Sequence, residues 1–306
     1  VKDMKFDVWM QDLYHNLEKI APPETSFFIW GWFAASLFAP FIRKASKSGN
    51  EFPILCLAGE QSSGKTTLCN LFYRYLIGVQ TSYSLKSTIA SLRRTFTSSN
   101  AVPIVVDEYE AEKASTLDEV LRLCWQAGSQ TIYDSQGFKN NTSALTAPIA
   151  ICTMTGVSDE ALRDRMVYMR IRKHLRPPGS AEALSWFRSQ PMGYFARNWI
   201  RQNRKAIVQS VEEGFDIASM WLPGDNDRQI WSQAVCIGLL KYANGKFWDK
   251  IDFSKIRSWA DPDEVKNVEK QDAHSIVDSL VSYMLRHMHD YGMVAGLRFK
   301  ADDEVL

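Results

Sequence analysis

The chain reads as an α/β protein built on a parallel sheet, with helices before and after that sheet. Three observations predict this. The apolar runs FPILCLAG, AVPIVVDEYE and APIAICTMTG are separated by helix-like stretches, as buried parallel strands joined by crossovers would be. The first run opens into the spacing G-x-x-x-x-G-K-[ST], occupied by Gly59, Gly64, Lys65 and Thr66. The second run ends in Asp107 and Glu108, some forty residues later.

Residues 1–48 are expected to form an N-terminal helical segment: an amphipathic stretch, a break at APPE (Ala21 to Glu24), then an apolar helix. KASKSGNE, Lys44 to Glu51, is a polar turn that starts the core at about residue 49. The phosphate-loop spacing is followed by KTTLCNLFYRYLIG, a helix with apolar residues at Leu68, Leu71, Phe72 and Leu76. Strand, glycine-rich loop and helix are the context that this motif requires. A polar region, VQTSYSLKSTIASLRRTFTSSN, precedes the second strand. STLDEVLRLCWQAG then reads as a helix, and SQTIYDSQGFKNNTSAL as a hairpin turning near Ser135 to Gly137. EALRDRMVYMRIRKH passes from a short helix into a strand and ends the core near residue 176. Residues 177–306 then carry four helix-like stretches, a C-terminal helical region.

At 306 residues and 45% hydrophobic, the chain can bury a substantial core. A net charge of +1 gives no global field for a polyanion, so any such site must be local. Cys56, Cys69, Cys124, Cys152 and Cys236 form no C-x-x-C pair, which predicts reduced, buried thiols in an intracellular protein. The histidines show no metal spacing; His287 and His289, two apart, share no helix face. The sequence opens at Val1 without a signal peptide, and a piece of a longer protein is expected. TSFFIWGWFAASLFAPFI, Thr25 to Ile42, is uncharged, but Pro40 interrupts it. A helix buried against the core is expected there, with membrane or partner contact as the alternative.

The chemistry follows from the motif. Backbone N–H groups from Gly59 through Glu60, Gln61, Ser62, Ser63, Gly64, Lys65, Thr66 and Thr67 can cradle the phosphates of ATP. Lys65 reaches the β- and γ-phosphates, and Thr66 ligates Mg²⁺. Asp107 would hold the Mg²⁺ shell through water, and Glu108 would orient or deprotonate the attacking water. A polar residue at the end of the third strand would touch the γ-phosphate: Thr155 first, with Thr153 open because strand alternation points both the same way. Arg163 and Arg165 follow, placed to stabilise transition-state charge at a neighbouring subunit's site, Arg165 preferred. RDRMVYMRIRKHLR, Arg163 to Arg176, carries six Lys or Arg against one Asp, with Val167, Met169 and Ile171 on one face and Arg170 and Arg172 on the other. RQNRK, Arg201 to Lys205, reads as a solvated helix face.

Taken together, STIASLRR, PIVVDEYEAE, CWQAG, IYDSQGF and the Asp-Arg segment resemble the ATPase domain of phage- and plasmid-type primase–helicase (primase-polymerase) replication proteins, over about residues 26–176. The resemblance implies a superfamily 3 or AAA+-like P-loop NTPase fold and an ATP-driven helicase in a hexamer or related ring. It further implies single-stranded DNA as partner and fusion to further domains. In that family the hairpin before the third strand grips one DNA strand, so Lys139 would meet a phosphate and Phe138 or Tyr133 would stack on a base or sugar. The family often ends its third strand in asparagine; Thr155 and Gly156 stand there in this chain.

The same phosphate site would also serve a regulatory ATPase whose nucleotide state controls assembly, or a small-molecule kinase. Stimulation by nucleic acid separates the first of these from a motor. A kinase would need an acceptor pocket in place of a water-activating Glu108.

Overall fold

The computed structural model describes residues 5–46, 49–80, 83–84, 88–110, 115–133, 140–222 and 227–253. The turn at Ser135 to Gly137, Phe138, Lys139, the stretch from Ala273 to Gly292, and with it His287 and His289, lie outside them.

The core is a five-stranded sheet. In chain order its strands are β1 (Ile54–Ala58), β2 (Tyr83–Ser84), β3 (Ile104–Tyr109), β6 (Ile149–Thr153) and β7 (Met166–Arg170). They lie in the order β2-β3-β6-β1-β7, and every pairing is parallel. β1 and β6 are buried along their whole length, which is why they read as continuous apolar runs. β4 (Ser129–Tyr133) and β5 (Asn140–Ala144) form a separate antiparallel hairpin, with Tyr133 opposite Asn140.

The crossovers follow from local sequence. α4 (Lys65–Leu71) continues into a π-helical turn, Phe72–Ile77, closed by Gly78 in the left-handed region. α5 (Ile89–Phe96) forms inside the region that reads as polar: the Thr88 hydroxyl accepts from the Ser91 N–H, and Leu92 and Phe96 are buried beneath a polar outer face. The two residues of β2 carry no periodic signal. α6 (Ser115–Trp125) precedes the hairpin, and α7 (Glu160–Arg163) is capped by the Asp159 carboxylate accepting from the Leu162 N–H.

Helices that precede β1 pack with helices that follow β7. α1 (Phe6–Ile20) is amphipathic, whereas α2 (Pro23–Ser36) is buried on every side from Thr25 to Ser36. α3 (Ala39–Ala45) turns away from α2 by 92° after the break at Leu37 and Phe38, and no single helix among the described residues is long and apolar enough to cross a membrane. α2 lies against α11 (Asp227–Lys246), which packs along α10 (Arg204–Trp221). A Cβ at Gly238 would stand 2.5 Å from the Val211 backbone, so α10 and α11 meet at main-chain distance. α8 (Ser180–Ser189) and α9 (Tyr194–Trp199) complete this layer. Indole N–H groups tie it together: Trp199 donates to Ala34 O, Trp248 to Met10 O, and Trp32 to Pro53 O at the entry to β1. All five cysteines are buried and unpaired, and burial raises the pKa of the thiols of Cys56, Cys124 and Cys236.

One buried charge joins the helical layer to the sheet and its crossovers. Arg43, 5% exposed, donates to the carbonyls of Asn50 (2.6 Å), Trp125 (2.8 Å), Cys124 (3.0 Å) and Thr146 (3.4 Å). The Cys124 and Trp125 carbonyls end α6, so the guanidinium caps the negative end of that helix. Burial lowers its pKa to about 10, which leaves it charged at neutral pH. Arg43→Met takes a donor from each of these carbonyls; Trp125 O keeps the Phe52 N–H and Cys124 O the Ala127 N–H, so the change should cost about 1–3 kcal/mol in denaturant unfolding. Arg43→Lys, which cannot span the same four acceptors, should recover only part of it.

Candidate nucleotide site

The loop between β1 and α4 begins where β1 ends. Gly59 donates its N–H to Thr153 O of β6 at 3.2 Å, and Ile171, just past β7, donates to Ala58 O at 2.7 Å. The loop is thus clasped between the two strands that flank β1. A Cβ at Gly59 would lie 2.4 Å from the Ile171 carbonyl, so only glycine fits. Ser62 and Gly64 have φ of 62° and 99°, and these left-handed steps curl the loop back before the helix starts at Lys65. Glu60, Gln61, Ser62 and Thr67 are exposed; Ser63 and Lys65 are buried. The Lys65 amine donates to Glu60 O across the loop at 3.0 Å. The buried Ser63 hydroxyl has no hydrogen-bond partner among the described residues.

Parallel strands bring the second motif to the same edge. The Thr66 hydroxyl donates to Asp107 Oδ1 at 3.0 Å, across 41 residues of sequence. β3 bulges between Val106 and Tyr109, and Glu108 sits on the bulge with φ of 60° and its side chain exposed. Its N–H donates to Asp107 Oδ1 at 2.9 Å, so one carboxylate oxygen gathers both the helix start and the bulge. Such a kink re-aims a side chain out of the strand's alternation. The strand resumes at Tyr109, whose hydroxyl donates to the buried Asp118 of α6 at 2.6 Å. Burial is the main cause of a raised Asp118 pKa, opposed by the Tyr109 hydrogen bond.

β6 lies between β1 and β3, so its end falls between the loop and Asp107. Thr153 closes β6, is buried, and donates to Gly156 O at 3.2 Å. Thr155 is exposed in the bend beyond the strand, so strand alternation does not extend to it. Arg163 and Arg165 lie elsewhere. Met166 is in register with Ile54 and Arg170 with Ala58, so Arg165 stands beside the start of β1, at the edge opposite the loop. Its guanidinium lies over the Trp125 ring at 5.3 Å, donates to Ala161 O, and is 8% exposed. Burial, then the charges of Arg228 and Arg122, lower its pKa. Arg163 is half-buried in the last turn of α7, a helix held to α6 by Arg122 and Asp159 at 2.6 Å. Tyr133 ends β4; Phe138 and Lys139 are not described.

Sequence reading missed Arg176 beyond its place in the basic run. The segment after β7 returns along the loop, and Arg176 Nη2 lies 3.1 Å from where a Gly64 Cβ would be. Nothing in the spacing signals this, because it depends on β7 pairing with β1.

No protein-family model matches the chain, and no curated protein does. Among solved structures, "SCCmec type IV Cch - active helicase" has a TM-score of 0.56 at 15% identity over 86% of this chain, which establishes a shared fold. The chain spans 52% of that protein's length. Two JCV helicase structures also match, one ligand-bound with a TM-score of 0.33 at 14% identity and one with 0.31 at 13%; each alignment covers 83% of this chain and 71% of the other, and neither carries the argument.

Gly59→Ala should push the segment after β7 off the loop, lowering the melting temperature and weakening any ligand of the loop together. Asp118 has a higher proton affinity folded than unfolded, so its ionisation opposes folding as pH rises through the carboxylate range. Asp118→Asn keeps an acceptor for Tyr109 without that ionisation. Wild type and variant should therefore converge below that range, and wild type should lose stability relative to the variant above it, read as melting temperature against pH.

Proposed function

We propose that this chain is an ATP-hydrolysing helicase or translocase module that moves on single-stranded DNA, assembled as a hexamer-like ring within a larger replication protein. The observation that carries the reading is the Thr66–Asp107 contact at 3.0 Å. It joins the two halves of a nucleotide site far apart in sequence. The helicase fold supports the reading, as does the resemblance of residues 26–176 to primase–helicase ATPase domains.

Each residue then has a task. Backbone N–H groups from Gly59 to Thr67 hold the phosphates, and Lys65 leaves Glu60 O for the β- and γ-phosphates. A hydroxyl and a carboxylate in contact are hard oxygen donors of the kind Mg²⁺ takes, so Thr66 and Asp107 would hold it with water completing the shell. When bound, Mg²⁺ neutralises charge on the β- and γ-phosphate oxygens. Glu108, turned out of the strand by the bulge, orients the attacking water and takes its proton. Thr153 or Thr155 touches the γ-phosphate, Thr153 from between the two motifs. Arg165 or Arg163 would serve the site of a neighbouring subunit, both standing away from their own loop; Arg165 would first have to leave the Trp125 ring and Ala161 O that hold it. On the DNA side the β4–β5 hairpin, with Tyr133, Phe138 and Lys139, grips the strand. The core bearing the site is residues 49–176, between the helical segments 1–48 and 177–306.

ATP turnover with and without single-stranded DNA tests this, with Lys65→Ala as the blank. DNA should stimulate hydrolysis several-fold or more, and Lys65→Ala should abolish it. Turnover indifferent to DNA in the full-length protein would replace the motor with a regulatory ATPase. Glu108→Gln should bind ATP normally and lose at least 100-fold in turnover. Mixing it with Arg165→Ala protein should restore part of the activity if the arginine crosses between subunits.

A further inference from the structure

The segment that follows β7 is built against the phosphate loop at both ends. Ile171 fixes the near end, with its N–H on Ala58 O at 2.7 Å and its carbonyl over Gly59. A 3₁₀ turn, Lys173–Leu175, then delivers Arg176 to the far end of the loop, where the guanidinium lies against Gly64. Arg176 is exposed at its own position, and among the described residues no carboxylate pairs with it. Its neighbour across Gly64 is Lys65, a cation that is 8% exposed. The loop therefore carries two cations, the Lys65 amine on Glu60 O and the Arg176 guanidinium against Gly64, a polarity that suits an anion bound over it. The buried Ser63 hydroxyl inside the same loop has no partner among the described residues and could donate to such an anion.

We infer that Arg176 binds the polyphosphate of the nucleotide in its own subunit, as a second cation beside Lys65 that acts on the phosphates beyond the first. This rests on the nucleotide-site reading and extends it. It separates the arginines by role: Arg163 and Arg165 stand at the start of β7, away from the loop, and Arg176 follows its end, on the loop. A guanidinium offers paired donors to phosphate oxygens, which an ammonium does not.

Calorimetric titration of Mg-ATP, Mg-ADP, AMP and Mg-pyrophosphate into wild type, Arg176→Gln, Arg176→Lys and Lys65→Ala tests the inference. Arg176→Gln should bind ATP, ADP and pyrophosphate about 10- to 100-fold more weakly, with AMP changed less than about 3-fold. Arg176→Lys should recover part of the loss, and the ligand-free melting temperatures should agree with wild type. Undiminished ADP and pyrophosphate binding by Arg176→Gln would overturn the inference. So would an equal loss for AMP, which would move the contact to the ribose or base. If Lys65→Ala loses binding while Arg176→Gln does not, the nucleotide site stands and only the role of Arg176 falls. If wild type binds none of the four, both readings fall together.

Discussion

The candidate site depends on one constraint: all five strands run the same way. A parallel sheet ends every strand at a common edge, and each crossover must carry the chain back before the next strand begins. Residues far apart in sequence therefore arrive together at one rim. The loop leaves β1, Asp107 and Glu108 leave β3, Thr153 leaves β6, and the segment to Arg176 leaves β7. Reverse any one strand and its contribution moves to the far edge. The hydrogen bonds from Gly59 to β6 and from Ile171 to β1 show the rim is a continuous piece of backbone, so the loop's shape is set by its neighbours as much as by its own glycines.

The rim needs rigid support, and the burial pattern supplies it. β1 is covered along its length, and α2, whose Trp32 N–H reaches Pro53 O just before β1, is buried from Thr25 to Ser36, a helix that forms only with partners all round. Those partners follow β7 in sequence: α11 and the indoles of Trp199 and Trp248. Arg43 completes the join, since a guanidinium reaches four carbonyls in three segments without a counter-charge. Such an interaction costs desolvation, offset by four charge-assisted hydrogen bonds, two of them to carbonyls at the end of α6 that also accept the Phe52 and Ala127 N–H groups.

What the sequence made legible was whatever is local or periodic. The phosphate-loop spacing, the Asp107–Glu108 pair on an apolar strand, the β4–β5 hairpin and the strand–helix alternation each occupy contiguous residues; that the strand runs on to Tyr109 past a bulge was not legible. α5 was hidden because its buried face is only Leu92 and Phe96 in a polar stretch, and β2 because two residues carry no period. Nothing in the spacing singles out Arg43; its burial depends on α6 and Thr146, some eighty and a hundred residues away. The bulge that turns Glu108 outward is equally silent, since IVVDEY reads as an ordinary strand until its register with β6 is known.

β7 shows why strand register matters more than motif spacing for the arginines. By sequence, Arg165 and Arg176 belong to one basic run. By register, the strand between them covers the length of β1, so the start and end of the run lie at opposite edges of the sheet. Five residues at about 3.3 Å each separate those edges by some 15 Å. Arg165 is further tied down by Trp125 and Ala161, on the side where α6 and α7 meet. No side-chain rotation brings it to the loop that Arg176 already touches. If turnover requires both arginines on one set of phosphates, a single copy of the chain cannot supply them. The requirement for a second copy would then be written into the pairing of β7 with β1.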